Sequence, residues 1–78
     1  MDSYPRKYLI ELREKNKMSQ QNVADKLNLS RQYYCGIENG NRQKKMDITL
    51  ISALAMVFGL TLGEIADFEK QWSAELSN

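Results

Sequence analysis

Apolar residues recur along this chain three and four positions apart, in five short runs divided by polar or glycine punctuation. That spacing predicts helices from end to end. The first begins near Pro5, with Ser3 as its cap, carries Tyr8, Leu9 and Leu12 on one stripe, and ends near Asn16. The second, about residues 19–27, is capped by Ser19, turns Val23, Ala24 and Leu27 inward, and stops at Asn28, a residue type that tolerates left-handed backbone. Leu29 plugs the corner that follows. The third, about residues 30–39, is capped by Ser30, buries Tyr34 and Ile37, and ends at Asn39-Gly40. A polar loop leads to Asp47, the cap of a fourth helix whose inner face is Ile48, Ile51, Leu54, Ala55 and Phe58, closed by Gly59. Thr61 to Glu64 has the form of a capping box. It opens a fifth helix with Ile65, Phe68, Trp72 and Leu76 on one side, and the residues after Trp72 are expected to fray. The pattern predicts an all-α, compact five-helix bundle and one domain over residues 1–78, with no internal repeat.

The segment from Ser19 to Gly40 carries the chemistry. Two short amphipathic helices, each opened by a serine and joined by a tight corner, are the grammar of a helix-turn-helix that reads duplex DNA. The major groove admits one helix, and base edges there carry a distinguishable code. Tyr34 and Ile37 anchor the third helix. Arg31, Gln32, Cys35, Gly36 and Asn39 lie on or near the opposite face. Arg31 suits guanine O6 and N7, and Gln32 suits adenine N6 and N7, each contact discriminating by about 1–3 kcal/mol. Gly36 has two readings: it lets the helix sit deep in the groove, or it permits close packing against another helix. Cys35 reads as a small side chain on the groove face, since no second cysteine completes a redox pair. Candidate phosphate contacts are Ser19 and Gln20 at the positive end of the second helix, the Tyr33 hydroxyl, and Asn39, Asn41, Arg42, Lys44 and Lys45 around the following loop. Glu38, an acid in a basic region, is expected to pair with a cation such as Arg13.

Charge sharpens this picture. The net charge is only +1, but residues 1–45 hold ten of the eleven cations and a balance of +5, while residues 46–78 stand at −4. A basic end attracts phosphate and an acidic end is repelled by it. With no histidine and one cysteine, imidazole catalysis, ordinary zinc sites and an internal disulfide are excluded. No enzyme, metal, cofactor or small-molecule ligand is expected. The longest apolar run, Ile51 to Leu60, is too short to span a bilayer. A lone cysteine and no leader segment suggest the cytoplasm.

The pieces L-R-E-K-N-K-M-S-Q (Leu12 to Gln20), V-A-D-K-L (Val23 to Leu27), L-S-R-Q-Y-Y (Leu29 to Tyr34), I-E-N-G-N-R (Ile37 to Arg42) and L-A-M-V-F-G-L-T-L-G-E-I (Leu54 to Ile65) together resemble the Cro/repressor-type, XRE-like helix-turn-helix family. The resemblance implies a lambda-repressor-like domain that binds operator DNA as a symmetric homodimer and regulates transcription in a prokaryote, phage or mobile element. It implies that Gln20 touches phosphate and braces the first residue of the reading helix, that Arg31, Gln32 and Gly36 face bases, and that Asn39 contacts phosphate. Three positions depart from the family pattern. Asn28 replaces the turn glycine, Gly36 removes a side chain from a base-reading position, and the loop after Gly40 is about two residues longer and lacks a proline. Phe68, Trp72 and Leu76 extend past the usual family end; they either fold back on the core or form a dimer seam. The alternatives are a restriction–modification controller or DNA-binding antitoxin within the class, and outside it a protein-interaction module that lacks DNA binding.

Overall fold

The computed structural model describes residues 4–77. They form five helices: α1 (Lys7–Lys15), α2 (Gln20–Leu27), α3 (Arg31–Glu38), α4 (Ile48–Phe58) and α5 (Leu62–Ser77). No strand occurs among the described residues. The expected cap Ser3 lies outside them; α1 starts at Lys7 behind Arg6, which gives no side-chain cap.

The other helix starts are set by their polar residues. Ser19 Oγ accepts from the Asn22 amide at 3.0 Å while Asn22 Oδ1 accepts from the Ser19 amide at 2.9 Å, a reciprocal box. Ser30 Oγ accepts from the Tyr33 amide at 3.1 Å. Asp47 accepts from the Leu50 amide at 2.8 Å, and Thr61 and Glu64 close their box at 2.9 and 3.1 Å. Each cap satisfies amides that a helix start otherwise leaves without partners. The exits of α2 and α4 are left-handed: Asn28 has φ 59° and Gly59 has φ 68°.

The core gathers Leu9 from α1, Val23 and Ala24 from α2, Tyr34 and Ile37 from α3, Leu54, Ala55 and Phe58 from α4, and Ile65 from α5. α3 packs on α2 and α1, while α4 packs on α5 and α2. Burying each aliphatic side chain contributes about 1.5–3 kcal/mol, so α3 is anchored mainly through Tyr34 and Ile37.

Two expectations about α4 and α5 are corrected. Ile48 is 62 % exposed. It is the first residue of α4, and its phase lies beyond the edge of the stripe that Leu54, Ala55 and Phe58 define. Helix α5 does not fray at Trp72 but runs on to Ser77. Trp72 is itself the reason. Its ring is buried, its Nε1 donates to the Tyr4 carbonyl at 3.1 Å, and Tyr4 stacks beside it at 6.4 Å. Trp72 therefore belongs to the interior of its own chain.

Two glycines separate backbone conformation from space. Gly59 has φ 68° and a Cβ there would meet nothing within 4 Å, whereas Gly40 has φ 80° and a Cβ would collide with the Tyr4 carbonyl oxygen and press on Trp72. Gly59→Ala should cost only the left-handed strain, about 1–2 kcal/mol. Gly40→Ala should cost clearly more, because the Tyr4 backbone and Trp72 must also move. Urea denaturation of both variants checks this; equal losses would show that the Gly40 approach is not close.

Candidate nucleic-acid interface

Arg31 and Gln32 are exposed in the first turn of α3, where the Ser30 cap leaves their side chains clear of the helix start. Three of its residues, Tyr34, Ile37 and Glu38, are buried, and by helical phase Gln32 lies opposite them while Arg31 lies beside Glu38 at the margin of the buried side. At 100° per residue, Gln32, Cys35 and Asn39 fall on the face away from this trio, with Arg31 at its flank. The helix thus has one side fixed and one side available.

Glu38 fixes that buried side by electrostatics. Its carboxylate accepts from Arg13 Nε at 2.6 Å, from Arg13 Nη2 at 3.3 Å and from Gln20 Nε2 at 3.1 Å. Three helices thereby meet on one carboxylate. Arg13 also donates to the Met18 carbonyl at 3.1 Å, which ties the α1–α2 turn into the same network. The carboxylate raises the Arg13 pKa, so the guanidinium is charged at every working pH. Removing one partner of such a pair leaves the other buried without compensation, at a cost of about 3–5 kcal/mol. The pairing of Glu38 with Arg13 agrees with the expectation from sequence. Gln20 does not: its amide points to Glu38, near the end of α3, and not to the first residue of that helix.

Gly36 faces neither an open groove nor another helix. A Cβ there would lie 2.5 Å from Arg42 Cγ. The Arg42 stem crosses the gap the glycine leaves, and its guanidinium sits 5.5 Å from the Tyr33 ring centroid. The amides of Asn41 and Arg42 both donate to the Gly36 carbonyl, at 2.8 and 3.1 Å. The loop is folded back on α3, and Arg42 occupies the position beside it that a side chain at residue 36 would have taken. Tyr33 is half-buried against the core, and its hydroxyl accepts from Gln43 Nε2 at 2.8 Å.

The remaining candidates divide by exposure. Ser19, Asn41, Lys44 and Lys45 are exposed; Asn39 is half-buried and donates to the Cys35 sulfur at 3.5 Å. Ser19 stands at the positive end of α2, although its hydroxyl oxygen already serves as the cap. Phe68 stacks on Tyr8 with centroids 5.2 Å apart and stays 37 % exposed, and Leu76 is 40 % exposed. The expected seam of Phe68, Trp72 and Leu76 is therefore broken in its middle, because Trp72 packs inward.

The interior holds one side chain that sequence patterning assigned to the solvated basic end. Arg6 is fully buried. It pairs with Glu69 at 2.7 Å and its guanidinium lies 3.9 Å over the Trp72 ring. Tyr8 donates to the same Glu69 at 2.6 Å. Nothing in a helical pattern distinguishes a lysine or arginine that will be buried from one that will not. Two of the ten cations in the basic half are thus neutralised by buried carboxylates, Arg6 in the interior and Arg13 half-buried at its edge.

The sequence pattern that defines the helix-turn-helix family matches residues 9–65, most of the chain. The chain belongs to the XRE-like helix-turn-helix family of DNA-binding transcription regulators. It is 35% identical over 60 residues to the control protein C.MunI of a Mycoplasma species, an alignment that covers 76% of this chain and 78% of that protein. No solved structure matches it significantly. Among the described residues no single helix is long and apolar enough to cross a membrane.

Two phenols behind the interface give the fold a pH dependence. Burial, reinforced by Glu69 for Tyr8 and Glu38 for Tyr34, raises both above the ordinary value of 10.0. In the unfolded chain they ionise near 10.0, so the unfolded state loses protons first. Their contribution to stability is fully present below that pH and is lost as pH rises beyond it, by about 1.4 kcal/mol per phenol for each pH unit. Absorbance at 295 nm should show that part of the phenol ionisation appears only with unfolding. Ionisation of all four tyrosines near pH 10.0 with helicity intact would contradict this.

Proposed function

We propose that this protein is a sequence-specific regulator that lays α3 in the major groove of a pseudo-palindromic operator and binds it as a homodimer. The observation that carries this reading is the asymmetry of α3: Arg31 and Gln32 free at its capped start, with Glu38, Tyr34 and Ile37 fixed behind. Arg31 takes guanine and Gln32 takes adenine, with Cys35 as a small side chain between them and the groove floor. Arg42 joins this surface from the loop, filling the place above Gly36. Ser19 and the first-turn amides of α2 on one side, and Asn41, Lys44 and Lys45 on the other, meet phosphates and set the register. Asn39 and Gln20 support from the edge of this surface.

A two-fold operator has half-sites one helical turn apart, ~34 Å. The second copy docks through the apolar side chains left exposed on α4 and α5, including Met56, Phe68 and Leu76. The protein acts by occupying or recruiting at a promoter in the cytoplasm, without catalysis. Among regulators of this size, likeness to a control protein favours the controller of a restriction–modification system over a phage repressor or an antitoxin.

The test compares two substitutions on a selected operator and on random duplex. Arg31→Ala should lose about 1–3 kcal/mol on the operator alone and relax preference at one base pair. Lys44→Ala should weaken both duplexes alike and lower the salt slope by about one unit. Equal losses on operator and random duplex for Arg31→Ala would refute the base-reading assignment.

A further inference from the structure

Residues 39–46 connect α3 to α4 without regular structure and carry two left-handed residues, Gly40 and Gln43. Such a loop has backbone carbonyls with no helical partner, and it presents Arg42, Lys44 and Lys45. Its shape therefore has to be imposed from outside. Arg6 supplies what is missing. A guanidinium has five N–H donors in a planar fork, and all five are used here. Nε and Nη2 take the two oxygens of Glu69 at 2.9 and 2.7 Å. Nη1 donates to the Ile37 carbonyl at 2.6 Å and to the Arg42 carbonyl at 3.0 Å, and Nη2 also reaches the Gln43 carbonyl. The Arg6 amide donates to the Glu38 carbonyl at 2.7 Å. The Trp72 ring covers the guanidinium and abuts Gly40.

We propose that Arg6, held by Glu69 and Trp72 of α5, is a positioning residue for the nucleic-acid interface: it sets the conformation of the loop that carries Arg42, Lys44 and Lys45 to DNA. The inference rests on the reading that this loop contacts the duplex. A purely structural cation would need only Glu69 opposite it. Arg6 instead directs three of its five donors to the last turn of α3 and the loop, so the end of the reading helix, the loop and α5 share one guanidinium. Lysine cannot replace it, because a single ammonium nitrogen cannot reach a carboxylate and three carbonyls arranged around a plane.

The experiment compares wild type with Arg6→Lys and with Leu60→Ala, a cavity variant at the α4–α5 corner that lowers stability without touching the loop. Amide exchange is measured on the free proteins, and affinity for random duplex is measured across a salt series below the melting range. In Arg6→Lys the Asn41 and Arg42 amides should exchange on the order of tenfold faster relative to the Val23 amide in the core. The slope of log affinity against log salt should shrink by about 0.9 for each phosphate that the loop no longer neutralises. Leu60→Ala should change neither. Should Arg6→Lys fail to keep its helicity, Glu69→Gln carries the same expectations, since it removes the countercharge and keeps an acceptor oxygen. Unchanged relative exchange at Asn41 and Arg42 would overturn the proposal. So would faster exchange with a wild-type salt slope, because the loop would then be loosened without consequence for DNA. Wild-type protein that shows no salt-dependent duplex binding would refute the DNA reading first, before any substitution, and the proposal with it.

Discussion

A helix that offers one face to a nucleic acid must be held entirely from its other face, and in this protein a single carboxylate does most of the holding. Glu38 is buried at the end of α3 and accepts from Arg13 on α1 and Gln20 on α2. A buried carboxylate without these donors would destabilise the fold instead of organising it. Since the network is satisfied, it does what apolar packing cannot: it fixes rotation of α3 about its own axis as well as its distance from the core. Tyr34 and Ile37 supply burial, and Glu38 supplies direction. The exposed positions of Arg31 and Gln32 follow from that.

A second guanidinium extends the same logic past the end of the helix. Arg6 binds Glu69 on α5 and carbonyls at the α3 exit and in the loop beyond it. The loop then folds onto Gly36, where the absent side chain admits the Arg42 stem. The glycine costs helix propensity, about 0.5–1 kcal/mol relative to alanine. In exchange, the loop brings an arginine alongside α3 and steadies it over Tyr33. The charge segregation along the chain is consistent with this layout, although two of the cations that create it are paired with buried carboxylates.

Much of the fold was legible because its signals are local. Ser19, Ser30, Asp47 and the Thr61–Glu64 pair mark helix starts through hydrogen bonds spanning three residues, and Asn28 and Gly59 mark exits through backbone conformation. The stripe of Tyr34 and Ile37 gave the orientation of α3, and an isolated acid among cations gave the Arg13 partnership. What stayed hidden depends on tertiary placement. Whether Gly36 met a groove, a helix or a loop could not follow from helical phase, and the answer was the side chain of Arg42. Trp72 and Phe68 share a stripe, yet one packs inward and the other stays partly in solvent, because Tyr4 and Arg6 close over Trp72. The burial of Arg6 reflects a partner sixty-three residues away, beyond the reach of periodicity.

The most direct measurement of the central claim is an amide chemical-shift map of the labelled protein titrated with duplex DNA. The account predicts that the largest changes fall on the start of α2, on Arg31 to Asn39 and on Asn41 to Lys45, with the outer face of α4 and the second half of α5 little affected by protein–DNA contact. Changes centred on α4 and α5, with Arg31 and Gln32 unmoved, would contradict it.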